Sequence, residues 1–219
     1  MKSSVTSRII SFDMNGTLTQ DKFIELVWGQ GVPGLYSRAK NISFEQAQQY
    51  VFQEYRKIGE ERTEWYDIKY WFRFFDLGED WMELLKSFKH EVKPFPEVIP
   101  VLEELGKDYQ LVVTTNACQE FANVELGAAG LTGYFDRILS STSDFSEVKK
   151  TPEFYAKVCH ALQVKPAEII HVGDHRLFDF TAPRMLGIEA YYLDRSGNEK
   201  GDFIVRDLSE FRDKLNSIR

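Results

Sequence analysis

Apolar positions follow two different patterns along this chain. From about residue 22 to 90 they recur at helical spacing and are unusually aromatic. From about 97 onward, short β-rich apolar runs alternate with helical stretches. Ahead of both, residues 8 to 13 read as a short buried strand.

The first block has clear punctuation. Ser43-Phe44-Glu45-Gln46 forms a capping box. Phe44, Ala47, Tyr50, Val51 and Ile58 follow at helical spacing, and Gly59 ends the run. A second helix is predicted over 60–76, with Trp65, Ile68, Phe72 and Phe75 on one face, and a third over 79–90. Pro94 and Pro96 then break the chain. Beyond them the pattern predicts helices over 97–105, 119–129, 152–163, 177–186 and 207–217, and strands over 110–114, 137–140, 168–173, 188–193 and 202–205. Such alternation predicts an α/β fold with a parallel sheet covered by helices on both faces.

Composition narrows the class. A chain of 219 residues that is 43% hydrophobic can bury a sizeable core. A net charge of −7 offers no counterion release to nucleic acid, so none is expected as a partner. Cys118 and Cys159 fit no zinc spacing and read as two ordinary thiols of a reduced, cytoplasmic protein. The first residues, Met1 to Arg8, lack the apolar run of a signal peptide, and no membrane span is expected.

The candidate chemistry lies where apolar strands end. Ile9-Ile10-Ser11-Phe12 runs into Asp13-Met14-Asn15-Gly16-Thr17. Leu111-Val112-Val113-Thr114 runs into Thr115-Asn116, and Ile169-Ile170-His171-Val172 into Gly173-Asp174, with Asp179 five residues further on. Lys149-Lys150-Thr151-Pro152 stands just before a helix. Taken in order, these segments resemble the four motifs of the haloacid dehalogenase superfamily, whose phosphatase branch begins Asp-x-Asp-Gly-Thr. Here the second aspartate is Asn15.

The resemblance implies a Rossmann-like core from 1–21 and 94–219, with its first strand central, and an inserted all-helical cap from 22–93. It also implies site roles. Asp13 is the expected nucleophile, and Asp13, Asp174 and the backbone carbonyl of Asn15 the expected Mg²⁺ ligands. Asp179 is expected behind them, orienting the ligands. Thr115 and Lys149 are expected to hold the phosphate, together with Gly16 and Asn116. Lys149 is preferred over Lys150 because Pro152 then falls three residues after it, as in the family's Lys-Pro-x-Pro form. The implied reaction is hydrolysis of a small phosphorylated metabolite through an aspartyl-phosphate.

Asn15 departs from the pattern. An amide donates a hydrogen bond but exchanges no proton near neutral pH, and losing a general acid or base costs typically ~10²–10⁴-fold in rate. Two alternatives therefore stand beside the phosphatase: a metal-free 2-haloacid dehalogenase, and a catalytically weak member that binds phosphorylated ligands. The aromatic run from Trp65 to Trp81 reads mainly as a cap core, with one or two residues facing the site. Arg38, Lys69 and Arg73 read as surface charges, and His175 as the cap of the next helix.

Overall fold

The computed structural model describes residues 8–78 and 80–217. The stretch Met1–Ser7, on which the signal-peptide expectation mostly rests, lies outside the described residues, as does Glu79.

Strand β1 (Ile9–Phe12) is buried along its whole length, as expected of a parallel strand covered on both faces. It lies between β2 (Gln110–Thr115) and β4 (Ile169–Gly173), parallel to both. β3 (Arg137–Ser140) flanks β2, and β5 (Glu189–Leu193) and β6 (Ile204–Val205) extend the other side. The order β3-β2-β1-β4-β5-β6 is that of a Rossmann-like sheet. Ile9 and Gln110 share a register position with Ile169, so the three central strands start together.

The two-residue period of the strands sorts the core into two faces. Ile9, Val112 and Ile169 pack with Phe154, Tyr155 and Val158 of helix α9 (Pro152–Leu162). Ile10, Phe12, Leu111, Val113, Ile170 and Val172 face the other way. They meet α6 (Val98–Leu105), α7 (Gln119–Ala128) and α11 (Leu208–Ser217) through Leu102, Leu126 and Phe211.

Between β1 and α6 the chain forms a helical layer. α1 (Lys22–Leu26) passes through a π-helical turn at Val27–Gly31 into α2 (Val32–Lys40). α3 (Phe44–Ile58), α4 (Ile68–Phe75) and α5 (Trp81–Phe88) follow. The expected capping box is present: Ser43 Oγ accepts from the Gln46 N–H at 3.2 Å, and Gln46 Oε1 from the Ser43 N–H at 3.1 Å. Trp71, Phe72 and Phe75 are buried and form the core of this layer with Tyr55. The two connections to the sheet run side by side, with the Gln20 N–H donating to the Lys93 carbonyl at 3.0 Å and the Phe95 N–H to the Leu18 carbonyl at 3.1 Å.

Three elements differ from the sequence reading. The helix expected over 60–76 begins at Ile68, because the Asp67 carboxylate caps it by accepting from the Lys69 N–H at 2.8 Å; Thr63–Tyr66 is a separate 3₁₀ turn. The helix expected over 177–186 is a π-helical turn, Arg176–Thr181, followed by the short α10 (Ala182–Met185). A further helix, α8 (Ser141–Phe145), directly follows β3; Ser140 caps it, its hydroxyl accepting from the Ser143 N–H at 3.0 Å. Among the described residues no helix is long and apolar enough to cross a membrane.

Candidate active site

The carboxyl ends of β1, β2 and β4 open into one crevice, at the point where the strand order turns outward in both directions. Asp13, one residue past β1, is held by its N–H donating to the Val172 carbonyl at 2.9 Å. Thr115 ends β2 and is buried; its hydroxyl accepts from the Ala117 N–H at 3.1 Å, which leaves its own proton free to donate. Asp174 follows β4 and accepts from the Thr17 hydroxyl at 3.2 Å. Asp13, Asp174 and Asp179 each bring a carboxylate oxygen within 4.8 Å of the others.

The lysine that reaches the carboxylates of this crevice is Lys150. Its ammonium contacts both Asp13 and Asp179, and the side chain is only 2% exposed. Lys149, the residue expected here, also lines the crevice, but its ammonium pairs with Glu61 and, at 3.7 Å, with Glu60 of the helical layer. The cause is local. Thr151 is the N-cap of α9, its hydroxyl accepting from the Phe154 N–H at 3.3 Å. That cap fixes the chain so that the residue just before it enters the crevice.

Asp179 sits beneath this pair, fully buried. Its Oδ2 accepts from the His175 N–H at 3.0 Å, and its Oδ1 lies 3.2 Å from His171 Nε2. Burial keeps His171 below its ordinary pKa and hence neutral. Its Nδ1 lies 3.0 Å from the Ser11 hydroxyl, so the imidazole bridges the central strand to Asp179. Burial would raise Asp179, but Lys150 and His171 hold its carboxyl below the usual range. Asp13 is pushed well above that range, first by burial and then by the facing Asp179 and Asp174; Lys150 only partly offsets this. Three carboxylates thus share one ammonium. Such an excess of hard oxygen donors fits a divalent cation of the Mg²⁺ kind.

The loop after Asp13 is held from two sides. Gly16 has φ +74°, and a Cβ there would overlap the Asp174 carboxylate, so glycine is required both conformationally and sterically. Arg195 donates to the Gly16 carbonyl at 2.9 Å and to the Thr17 carbonyl at 2.7 Å. It also pairs with Glu97 at 2.8 Å. On the other side, Asn15 Nδ2 donates to Glu125 Oε1 at 2.7 Å, and the Thr19 hydroxyl donates to the same oxygen at 2.5 Å. Glu125 Oε2 is buried without a partner among the described residues. Burial raises the Glu125 pKa to about 7, against the lowering effect of these two hydrogen bonds.

Asn116, also expected at the phosphate, lines the crevice and accepts from the Ser141 hydroxyl at 3.1 Å. His175 caps the following turn, its Nδ1 accepting from the Phe178 N–H at 3.3 Å. Lys150, Glu125 and Arg195 were not singled out from the sequence as site residues. Lys150 stood only as a rival to its neighbour, and Arg195 carried one signal, its place just after a strand end.

A haloacid dehalogenase-like hydrolase family model matches residues 10–192. The chain belongs to that family. The hydrolase is similar in structure to a HAD phosphatase from Thermococcus onnurineus, with a TM-score of 0.80 at 28% identity over 95% of this chain and 97% of the other. A 2-haloacid dehalogenase from Pseudomonas syringae shares the fold, with a TM-score of 0.71 at 23% identity over 97% of this chain and 99% of that one. Among curated relatives, a phosphoglycolate phosphatase from Aquifex aeolicus is 31% identical over 44% of this chain and 47% of its own length. An N-acylneuraminate-9-phosphatase from Rattus norvegicus is 28% identical over 55% of this chain and 49% of its own. The chain thus spans about half the length of these two relatives.

The raised Glu125 carboxyl makes the stability of the hydrolase pH-dependent. Below its ordinary value of 4.5 both folded and unfolded chains carry the proton, and stability is fully present. As pH rises from 4.5 to about 7 the unfolded chain ionises first and stability falls; above that the loss is complete. The loss is on the order of 3 kcal/mol. Glu125→Gln should remove it, so urea unfolding of parent and variant should diverge between pH 5 and pH 8. A difference between them that stays constant with pH overturns this assignment.

Proposed function

We propose that this hydrolase cleaves a small phosphomonoester through an aspartyl-phosphate on Asp13, with Mg²⁺ as its cofactor. The observation that carries the reading is the meeting of Asp13, Thr115, Lys150 and Asp174 in one crevice of about 280 Å³. The phosphatase names of the relatives point the same way.

A carboxylate oxygen of Asp13 attacks phosphorus in line, and the bond from phosphorus to the leaving oxygen breaks. Lys150 favours the ionised form of Asp13 and offsets charge on the transferring group. Thr115 donates its hydroxyl to a phosphate oxygen. Asp13, Asp174 and the Asn15 carbonyl would hold the magnesium ion, which supplies electrostatic neutralisation of the phosphate oxygens when bound. Asp179 positions Lys150. Asn15 gives no proton to the leaving oxygen and takes none from the attacking water, so turnover is slow with poor leaving groups.

An aryl phosphate needs little protonation to leave. Mixed with the Mg²⁺-loaded hydrolase and quenched rapidly, it should give a phosphoryl adduct visible in the intact mass and a burst near one leaving group per chain. EDTA and Asp13→Asn should each abolish both. Halide release from a 2-haloacid in EDTA, with no adduct from any aryl phosphate, would instead establish the metal-free dehalogenase.

The two lysines should separate cleanly. Lys150→Met should lower phosphate release by at least ~100-fold, since it strips an ammonium from two buried carboxylates. Lys149→Met loses rim ion pairs and should change the rate less than ~10-fold. Equal effects would return Lys149 to the site.

Asn15→Asp by itself sets a carboxylate against Glu125, and the two compete for one proton. Exchanging the groups, as Asn15→Asp with Glu125→Gln, restores an acid paired with an amide. The double variant should hydrolyse alkyl phosphates at least ~10-fold faster than the parent, and faster than Asn15→Asp alone. A double variant no faster than the parent shows that the residue at 15 does not limit turnover.

A further inference from the structure

Beside the Asp13 crevice lies a second cavity, of about 270 Å³, and the two share Asn15, Tyr66, Asn116 and Ala117 as wall residues. Its other walls are mostly aromatic and come from both layers. Trp28 stacks on Phe121 with ring centroids 5.4 Å apart and meets Tyr55 edge-on at 5.8 Å. Trp65 closes the far side against Tyr55 at 6.0 Å. No charged side chain lines it among the described residues, and burial keeps the Cys118 thiol neutral by pushing its pKa to about 12. The cations of the neighbouring helices are engaged elsewhere: Lys69 with Glu120, and Arg73 with Asp67 at 3.8 Å.

The amides among its wall residues, Asn15 and Asn116, belong to the part it shares with the crevice. The cavity is large for an empty apolar one, since ~150 Å³ already admits benzene.

We propose that this cavity is the leaving-group pocket, and that it takes the uncharged aromatic portion of a phosphomonoester. The assignment rests on the phosphatase reading for its chemistry and on the cavity for its selectivity. It sets this chain apart from relatives named for phosphoglycolate and an N-acylneuraminate phosphate, because none of the described residues lining the cavity offers a cation to a carboxylate.

The test uses alkyl phosphates, so that leaving-group acidity is nearly constant. The Mg²⁺-loaded hydrolase should show kcat/KM at least ~10-fold higher for 2-phenylethyl phosphate than for ethyl phosphate or 2-phosphoglycolate. Calorimetry with 2-phenylethanol reads the cavity without catalysis. Binding should saturate. Ile24→Trp, which fills the cavity, should weaken 2-phenylethanol by at least ~10-fold while circular dichroism stays unchanged. Binding without hydrolysis of any phosphomonoester keeps the pocket and overturns the phosphatase reading. Preference for 2-phosphoglycolate, or no saturable binding of 2-phenylethanol, overturns the pocket.

Discussion

The ammonium of Lys150, buried between Asp13 and Asp179, is the contact on which the site depends. Removing one partner of a buried ion pair typically costs ~3–5 kcal/mol, because the charge left behind has lost its water. Here one cation serves two carboxylates, with Asp174 close by. The arrangement survives because each group has further partners. Asp179 takes a backbone N–H and His171, while Lys150 also reaches the Thr114 carbonyl at 3.4 Å. Through His171 and Ser11 this network enters the central strand itself, so sheet and site share one set of hydrogen bonds. Gly173 belongs to the same design: a Cβ there would stand 2.5 Å from the Asp179 carboxyl carbon.

The loop carrying Asn15 shows a second kind of constraint. Arg195 grips its carbonyls, and Glu125 grips its side chain from below. Where the family motif has an aspartate, this chain has an amide that donates to a buried glutamate. The two residues are complementary as they stand, since an acid at 15 would face another acid at 125. Asn15 is therefore better understood as half of a pair than as a single missing carboxylate.

The helical layer is joined to the sheet by contacts of unequal weight. The rim ion pairs Lys149–Glu61 and Lys69–Glu120 are partly exposed and contribute little. The stacking of Trp28 on Phe121, and the edge contact of Phe23 with the same ring at 5.9 Å, bury apolar surface and contribute more. The same aromatic contacts wall the second cavity. Closure of the layer over the crevice and the chemistry of what fits beneath it thus rest on one group of side chains.

The sequence by itself determined the framework. Buried strands ending in Asp13, Thr115 and Asp174 are legible because period and composition mark each strand and the motif residue follows directly. The capping box at Ser43 is legible because its two hydrogen bonds lie within four residues. What lay beyond reach had no local signal. Lys149 and Lys150 are adjacent in a loop, where no periodicity states which side chain turns inward; the cap at Thr151 and the carboxylates across the crevice decide it. Glu125 is 110 residues from Asn15, and Arg195 is 179 from Gly16, so either contact exists only once the sheet has brought those strand ends together. The aromatic run shows the same division. Its spacing gave a core, and Trp71, Phe72 and Phe75 form one, but only packing against Phe121 left Trp28, Tyr55 and Trp65 lining a cavity. Local pattern encodes which residues are buried, whereas the partner each one meets depends on elements far away in the chain.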